Sequence, residues 1–247
     1  MAVVRFADLT APEVRALASD GTVALWPIGA TEQHGNHLAT GFDLASATAV
    51  CERAAAATEA PIVLLPGLAF GSSDHWLPLG STISLRPATL MTVLADVVRS
   101  LAASGFERVI IVNGHAGNAE AIATLVGNAS LSGIRVEAVS YWMLVDAGRL
   151  ADGCAVDEGG IGHAGEVETS IALALGGGLI GPGGLPTEAG MPLVPGSPGG
   201  PGGVAGRSPR PLEESPSGVY GDPTVATAEL GELVLIEASA SLAELIL

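Results

Sequence analysis

Residues 21–43 read GTVALWPIGATEQHGNHLATGFD. The opening part, GTVALWPIG, is apolar at nearly every position rather than every second one. That pattern fits a strand covered on both faces, as in a parallel sheet. The chain then turns abruptly polar and places Glu32, His34, His37 and Asp43 close together, although it owns only five histidines in 247 residues. In open parallel sheets, sites form beyond the carboxyl ends of the strands. A cluster of ionisable groups directly after such a strand marks the start of a site.

Working outward, DLASATAVCERAAAATEA, from Asp43, reads as a helix that Asp43 could cap. PIVLLPGLAF (61–70) is a second strand candidate, and STISL (81–85) is short and β-prone. RPATLMTVLADVVRSLAASG (86–105) is a helix with Pro87 in its first turn and Gly105 at its stop. ERVIIVNG (107–114) is a strand, NAEAIATLVGNAS (118–130) a helix, and GIRVEAVSYW (133–142) another strand. HAGEVETSIALAL (163–175) and the closing TVATAELGELVLIEASASLAELIL (224–247) read as helices. Alternation of this kind predicts an α/β fold, a three-layer αβα sandwich with a mostly parallel central sheet. The whole length, 1–247, is expected to form a single domain. Residues 176–206 hold 13 Gly and 6 Pro, so a long irregular loop, or a lid beside the site, is expected there.

Composition narrows the function. The net charge of -16 would repel a phosphate backbone, which argues against nucleic acid. No apolar run is long enough to suggest a membrane span, and the N-terminal stretch carries acids and a proline where a signal peptide needs an apolar core. Cys51 and Cys154 are too few for a disulfide framework, so a cytoplasmic protein is expected. The chain has no lysine, which removes Schiff-base chemistry and a Walker-type phosphate loop. No GxSxG elbow or GxGxxG after the first strand occurs, which disfavours a serine hydrolase and a dinucleotide-binding module. Carboxylates, imidazoles, hydroxyls or a metal must then carry any chemistry.

His34 and His37 follow the first strand, His115 ends a later one in VIIVNGHAGN, and His163 precedes a helix in GGIGHAGEVETS. A parallel sheet can gather all three segments at one edge. In an extended segment Glu32 and His34 project together, with Gln33 opposite. A carboxylate, an imidazole and a second carboxylate at Asp43 suit a borderline divalent ion such as Zn, Mn or Fe. The plainer alternative makes Glu32 and His34 a hydrogen-bonded pair and leaves Asp43 as a helix cap.

EQHGNHLATGFD (32–43), NGHAGN (113–118) and HAGEVETS (163–170), in this order, resemble the three signature segments of the creatininase (creatinine amidohydrolase) family. The resemblance runs from about residue 20 to residue 175, and GVYGDPTVAT (218–227) adds to it. It implies two divalent metal ions on an αβα sandwich and hydrolysis of an amide C–N bond by metal-activated water. Carried over position by position, it makes Glu32, His34, Asp43 and His115 metal ligands, with Asp43 bridging. His163 becomes the catalytic imidazole and Glu168 an acid beside the metals. Gly117 stands where creatininase itself carries a further glutamate ligand; Glu168, or else Glu166, is expected to replace it. Ala116 and Gly159 stand where creatininase has aromatic groups over its substrate, so a more open pocket is expected. Asp74, His75 and Trp142 are candidates for substrate binding, His37 for a supporting role, and Trp76 for packing or the pocket rim.

The family also implies a homo-oligomer, hexamer-like, and a small-molecule or short-peptide amide as substrate. Creatinine, formamide-type amides and the mycofactocin precursor peptide are the alternatives within it. Outside it stands a non-enzymatic, metal-stabilised scaffold or small-molecule binder, with Gly117 in its favour.

Overall fold

A computed structural model of the chain describes residues 3–129, 133–155, 160–192 and 211–247. Its centre is a four-stranded parallel sheet, with strands β1 (Val23–Ile28), β2 (Ile62–Leu64), β3 (Arg108–Asn113) and β4 (Arg135–Ser140) in the order β2-β1-β3-β4. The helices are α1 (Ala11–Ser19), α2 (Phe42–Ala57), α3 (Pro87–Ala103), α4 (Ala119–Asn128), α5 (Ala147–Gly153), α6 (Glu166–Ala174), α7 (Pro211–Glu214) and α8 (Ala228–Ile246).

The strands alternate sides, and this sorts the core into two layers. Val23 and Leu25 of β1 and Ile110 and Val112 of β3 pack with Phe42, Val50, Ile171, Leu235 and Leu242, from α2, α6 and α8. Ala24, Trp26, Val109 and Ile111 face the other way, against Leu90, Leu94, Val98, Ile122 and Leu125 of α3 and α4, with Ala18 of α1 at the edge. Helices therefore cover both faces, as the apolar strands predict.

Pro27 sits inside a central strand, where its missing N–H should be a defect. The ladder explains its tolerance. Odd-numbered residues of β1 address β2: Val23 N–H donates to Pro61 O, and Leu65 N–H donates to Leu25 O. The β1–β2 register ends at Leu25 opposite Leu64, so Pro27 lies past the last paired residue on that side. The Pro27 carbonyl still accepts from Leu68 N–H.

The strand order reverses between β1 and β3. From β1 the chain passes through α2 to β2 on one side; from β3 it passes through α4 to β4 on the other. The carboxyl ends of β1 and β3 thus flank the crevice where such sheets bind ligands. Gly29 and Gly114, just past these two ends, let α2 press directly on them. A Cβ at Gly29 would lie 2.4 Å from Leu44 N, and one at Gly114 only 2.1 Å from Asp43 O. The start of α2 is wedged into the crevice because neither neighbour has a side chain.

Several elements differ from the sequence expectation. The 61–70 strand shrinks to three residues, and STISL contributes only an isolated bridge between Thr31 and Ile83. Helix α1 was unanticipated, although TAPE carries its start signal: the Glu13 carboxylate accepts from the Thr10 N–H at 2.7 Å and from its hydroxyl at 2.5 Å. Of the Gly/Pro-rich stretch, 176–192 runs as turns and bends, and 193–206 lies outside the described residues.

Candidate metal centre

Asp43 does not cap α2; Gly41 holds that position. It stands in the first turn, fully buried, and faces the crevice with one oxygen toward each of two imidazoles. Asp43 Oδ1 lies 3.0 Å from His34 Nε2, and Asp43 Oδ2 lies 3.3 Å from His115 Nδ1. Around this carboxylate the other predicted groups converge. Glu168 Oε2, from α6, is 3.7 Å from His34 Nε2. Glu32 Oε1 is 3.3 Å from His115 Nδ1 and 3.7 Å from His163 Nδ1. Segments after β1, after β3 and before α6 meet as expected.

The backbone presents these rings with defined tautomers. His34 Nδ1 donates to the Glu32 carbonyl at 3.2 Å, which leaves Nε2 for Asp43. His115 Nε2 donates to the Ser72 carbonyl at 3.0 Å, with Ser73 Oγ at 3.1 Å, which leaves Nδ1 for the carboxylates. The asparagines of NGHAGN lock this corner. Asn118 Nδ2 donates to Gly29 O, Asn118 Oδ1 accepts from Ser72 N–H, and Asn113 Nδ2 donates to His115 O.

His163 lies between two neighbours of the first motif. Its Nδ1 faces Glu32, while its Nε2 meets both the main-chain oxygen and the side-chain amide of Gln33, each at 2.9 Å. Gln33 Oε1 accepts from Gly35 N–H, so its NH2 group is the one turned to the ring. A nitrogen that donates to the carbonyl cannot accept from the amide, so the two contacts select alternative tautomers. Gln33 is thus no bystander on the opposite side; it holds the catalytic candidate from behind.

Burial and charge act against each other throughout. Burial alone would lower the His34 pKa, but Asp43 and Glu168 raise it to about 10. Burial opposes ionisation of Asp43, yet His34 and His115 hold its pKa below the ordinary carboxylate value. Burial pushes Glu168 up to about 7, His34 opposing. His163 is lowered to about 3, by burial and then by the neighbouring His34.

Three buried atoms of this cluster, Glu32 Oε2, His34 Nε2 and Asp43 Oδ2, make no well-aligned hydrogen bond among the described residues; two of them have only ion-pair neighbours, at 3.0 and 3.3 Å. A buried polar atom left unpaired costs about 1–3 kcal/mol, so three in one spot call for a ligand. Donors sharing one tetrahedral ion at about 2.1 Å stand roughly 3.4 Å apart. The 3.0–3.7 Å separations here match that spacing. His34, Asp43 and Glu168 form one such group, and Glu32, His75 and His115 another. A divalent metal fits the residues present.

Glu168, and not Glu166, points into the cluster. The Glu166 carboxylate accepts from Ala155 N–H at 2.5 Å. Gly117 could not host a ligand in this backbone, because a Cβ there would meet Ser72 O at 2.2 Å and His115 Nε2 at 2.4 Å.

The cavity above these groups is lined by His75, Trp76, Trp142, Ala116, Ile161 and Gly162. Its volume of about 40 Å³ admits only a compact group, since one water needs about 10–15 Å³. The expected openness at Ala116 is therefore not found, and Gly159 lies outside the described residues. Trp76, expected in packing or at the rim, is buried and stacks on His163 with ring centroids 4.3 Å apart. Of the predicted substrate contacts, His75 and Trp142 line the cavity. Asp74 does not: it is exposed and accepts from Ser84 Oγ at 2.6 Å. His37 supports from a distance through Thr169 Oγ1, at 2.9 Å. A larger cleft, about 510 Å³, lies between α3 and residues 65–68; among the described residues Asp96 is the only ionisable group lining it.

The family model described as creatininase, creatinine amidohydrolase, matches residues 7–246. Creatinine amidohydrolase of Pseudomonas putida is 35% identical over 179 residues, 66% of this chain and 67% of that protein. The mycofactocin precursor peptide peptidase of Mycolicibacterium smegmatis is 33% identical over 229 residues, 90% of this chain and 83% of that protein. Among solved structures, "Creatininase Mn" superposes with a TM-score of 0.80 at 29% identity, covering 99% of this chain and 97% of that one. A Zn-Zn type mutant creatininase gives 0.78 at 30% identity, with the same coverage.

Proposed function

We infer, for a chain that belongs to the creatininase family of amidohydrolases, that its own reaction is hydrolysis of an amide C–N bond with two divalent ions, Zn, Mn or Fe, held by the cluster above. The observation that carries this is the trio of buried donor atoms on Glu32, His34 and Asp43 that make no hydrogen bond among the described residues and crowd within 3.0–3.7 Å of other donors. One ion would take His34 Nε2, Asp43 Oδ1 and Glu168; the other would take Glu32, His115 Nδ1 and Asp43 Oδ2. When bound, such ions activate water and polarise a carbonyl.

The protein's own groups do the rest. His163 is neutral at ordinary pH, and in the tautomer whose Nε2–H donates to the Gln33 carbonyl its Nδ1 is a bare acceptor turned to the cluster. It can take a proton at Nδ1 and pass it to the leaving nitrogen. Trp76 fixes the plane of that ring. Trp142 and Ile161 narrow the approach, so the scissile amide enters while the remainder of the substrate stays outside. Glu168 at the cluster supports an enzyme over an inert scaffold, because it supplies the ligand that Gly117 cannot.

Between the substrate readings, a short-peptide amide is favoured over creatinine. The peptidase relative matches 90% of the chain in sequence, and the creatinine enzyme 66%, while creatininase structures superpose over 99% of it. We further read residues 1–247 as one domain that forms a homo-oligomer, since Phe70, Leu77 and Ile83 leave apolar surface on the segment beside the site. Among the described residues, no helix is long and apolar enough to cross a membrane.

The test is a metal-loaded hydrolysis panel of creatinine, a formamide-type amide and short peptides. Release of a peptide fragment that stops on chelation supports the reading. Turnover of none of them, with two ions bound, would contradict it.

A further inference from the structure

We propose that His75 is a third ligand of the metal position built on Glu32 and His115, so that the two positions are unequal. This rests on the binuclear reading and adds a donor to it. One ligand atom each from Glu32, His75 and His115 lie within 4.8 Å of one another. The His75 ring lies parallel to that of His115, 2° between planes, with centroids 5.9 Å apart. It forms no hydrogen bond with the described residues, and it is only half-buried, which leaves it room to close on an ion.

The surrounding segment explains why His75 stays there. Ser72 and Ser73 grip the far nitrogen of His115, the next ring, Trp76, is pinned on His163, and Asp74 is tied back to Ser84. One short segment, 72–79, thus holds His115 through its serines and delivers a second imidazole to the same position from the turn Asp74–Leu79. The outcome is asymmetry. One position has two imidazoles with Glu32 and an Asp43 oxygen; the other has one imidazole, Glu168 and the second Asp43 oxygen. Imidazole-rich sites favour later first-row ions, and oxygen-rich sites favour manganese.

Cobalt(II) titration of the metal-free protein, followed by visible absorption and by metal analysis after dialysis, tests this. Wild-type protein should bind two ions in steps of unequal affinity. In His75→Ala one step should weaken by about tenfold or more, at least the size expected for groups that merely support a ligand, while the other is unchanged. His75→Phe keeps an aromatic ring against His115 and removes the donor. It should show the same loss, with an altered cobalt spectrum for that step alone. Wild-type affinity in the Phe variant would mean that His75 only packs, and would overturn the proposal. Two unchanged steps in both variants would do the same while leaving the binuclear reading intact. A wild-type protein that binds fewer than two ions would remove the binuclear reading itself.

Discussion

The two faces of the sheet bury similar side chains and do different work. On the face of α3 and α4, Leu90, Leu94, Val98 and Leu101 of α3 meet the strands as plain hydrophobic packing, and no group of the metal cluster comes from there. On the face of α2, α6 and α8, the contacts are closer and positional. Glycines at 29 and 114 bring α2 onto the strand ends, and a Cβ at Gly231 of α8 would lie 2.0 Å from Ser170 O of α6. These close approaches aim Asp43 and Glu168 at His34. One face supplies stability and the other supplies geometry, and substitutions on each should separate the two.

The largest effect is expected on the positional face. Asp43→Ala removes the carboxylate proposed to be shared by two metal positions, so metal content should fall and hydrolysis drop by more than about a hundredfold, with circular dichroism unchanged. Metal analysis and steady-state rates check this. On the packing face, Leu94→Ala should lower unfolding free energy by about 2–5 kcal/mol with metal content and KM retained, as read by urea denaturation. A Leu94→Ala protein that folds normally but loses its metal would break the division.

Acidity gives a smaller effect, confined to the positional face. In the metal-free protein, burial lowers the His34 pKa, but Asp43 and Glu168 outweigh it and hold the value near 10. The ring is therefore protonated at neutral pH, and an ion must displace that proton. Metal affinity should rise with pH, about tenfold per unit for each proton released, below that pKa. Calorimetry in buffers of different ionisation enthalpy measures the release; binding without proton release would contradict the geometry at His34. The smallest effect belongs to α1: Thr10→Ala removes its cap and should cost about 1 kcal/mol, with no change in rate.

The layers and most of the cluster were legible because they follow local rules. Apolar runs at 23–28 and 108–113 name a parallel sheet, and such a sheet dictates where its site lies. Glu168, the residue that the family pattern in ETS favours, is the one turned toward His34, while Glu166 accepts from Ala155 N–H. What was illegible depends on contacts between distant segments. Nothing local says that Trp76 stacks on His163, that Gln33 turns back onto the same ring, or that Ser72 orients His115. Among the described residues the cavity beside Ala116 is small, because Trp76 and Trp142 reach it from other segments. Asp43 was ambiguous locally, since an acid in the first helical turn suits a cap as well as a ligand. Gly41 takes the cap position, and the glycines at 29 and 114 let Asp43 reach the crevice, a meaning that appears only once α2 is packed against them.

The most direct test of the central claim is an anomalous-scattering map of crystals grown with zinc or manganese. Two peaks are predicted between His34, Asp43 and Glu168 on one side and Glu32, Asp43 and His115 on the other, each about 2.0–2.2 Å from its donors. A map with no peak among these side chains, from protein that hydrolyses its amide substrate, would contradict the account.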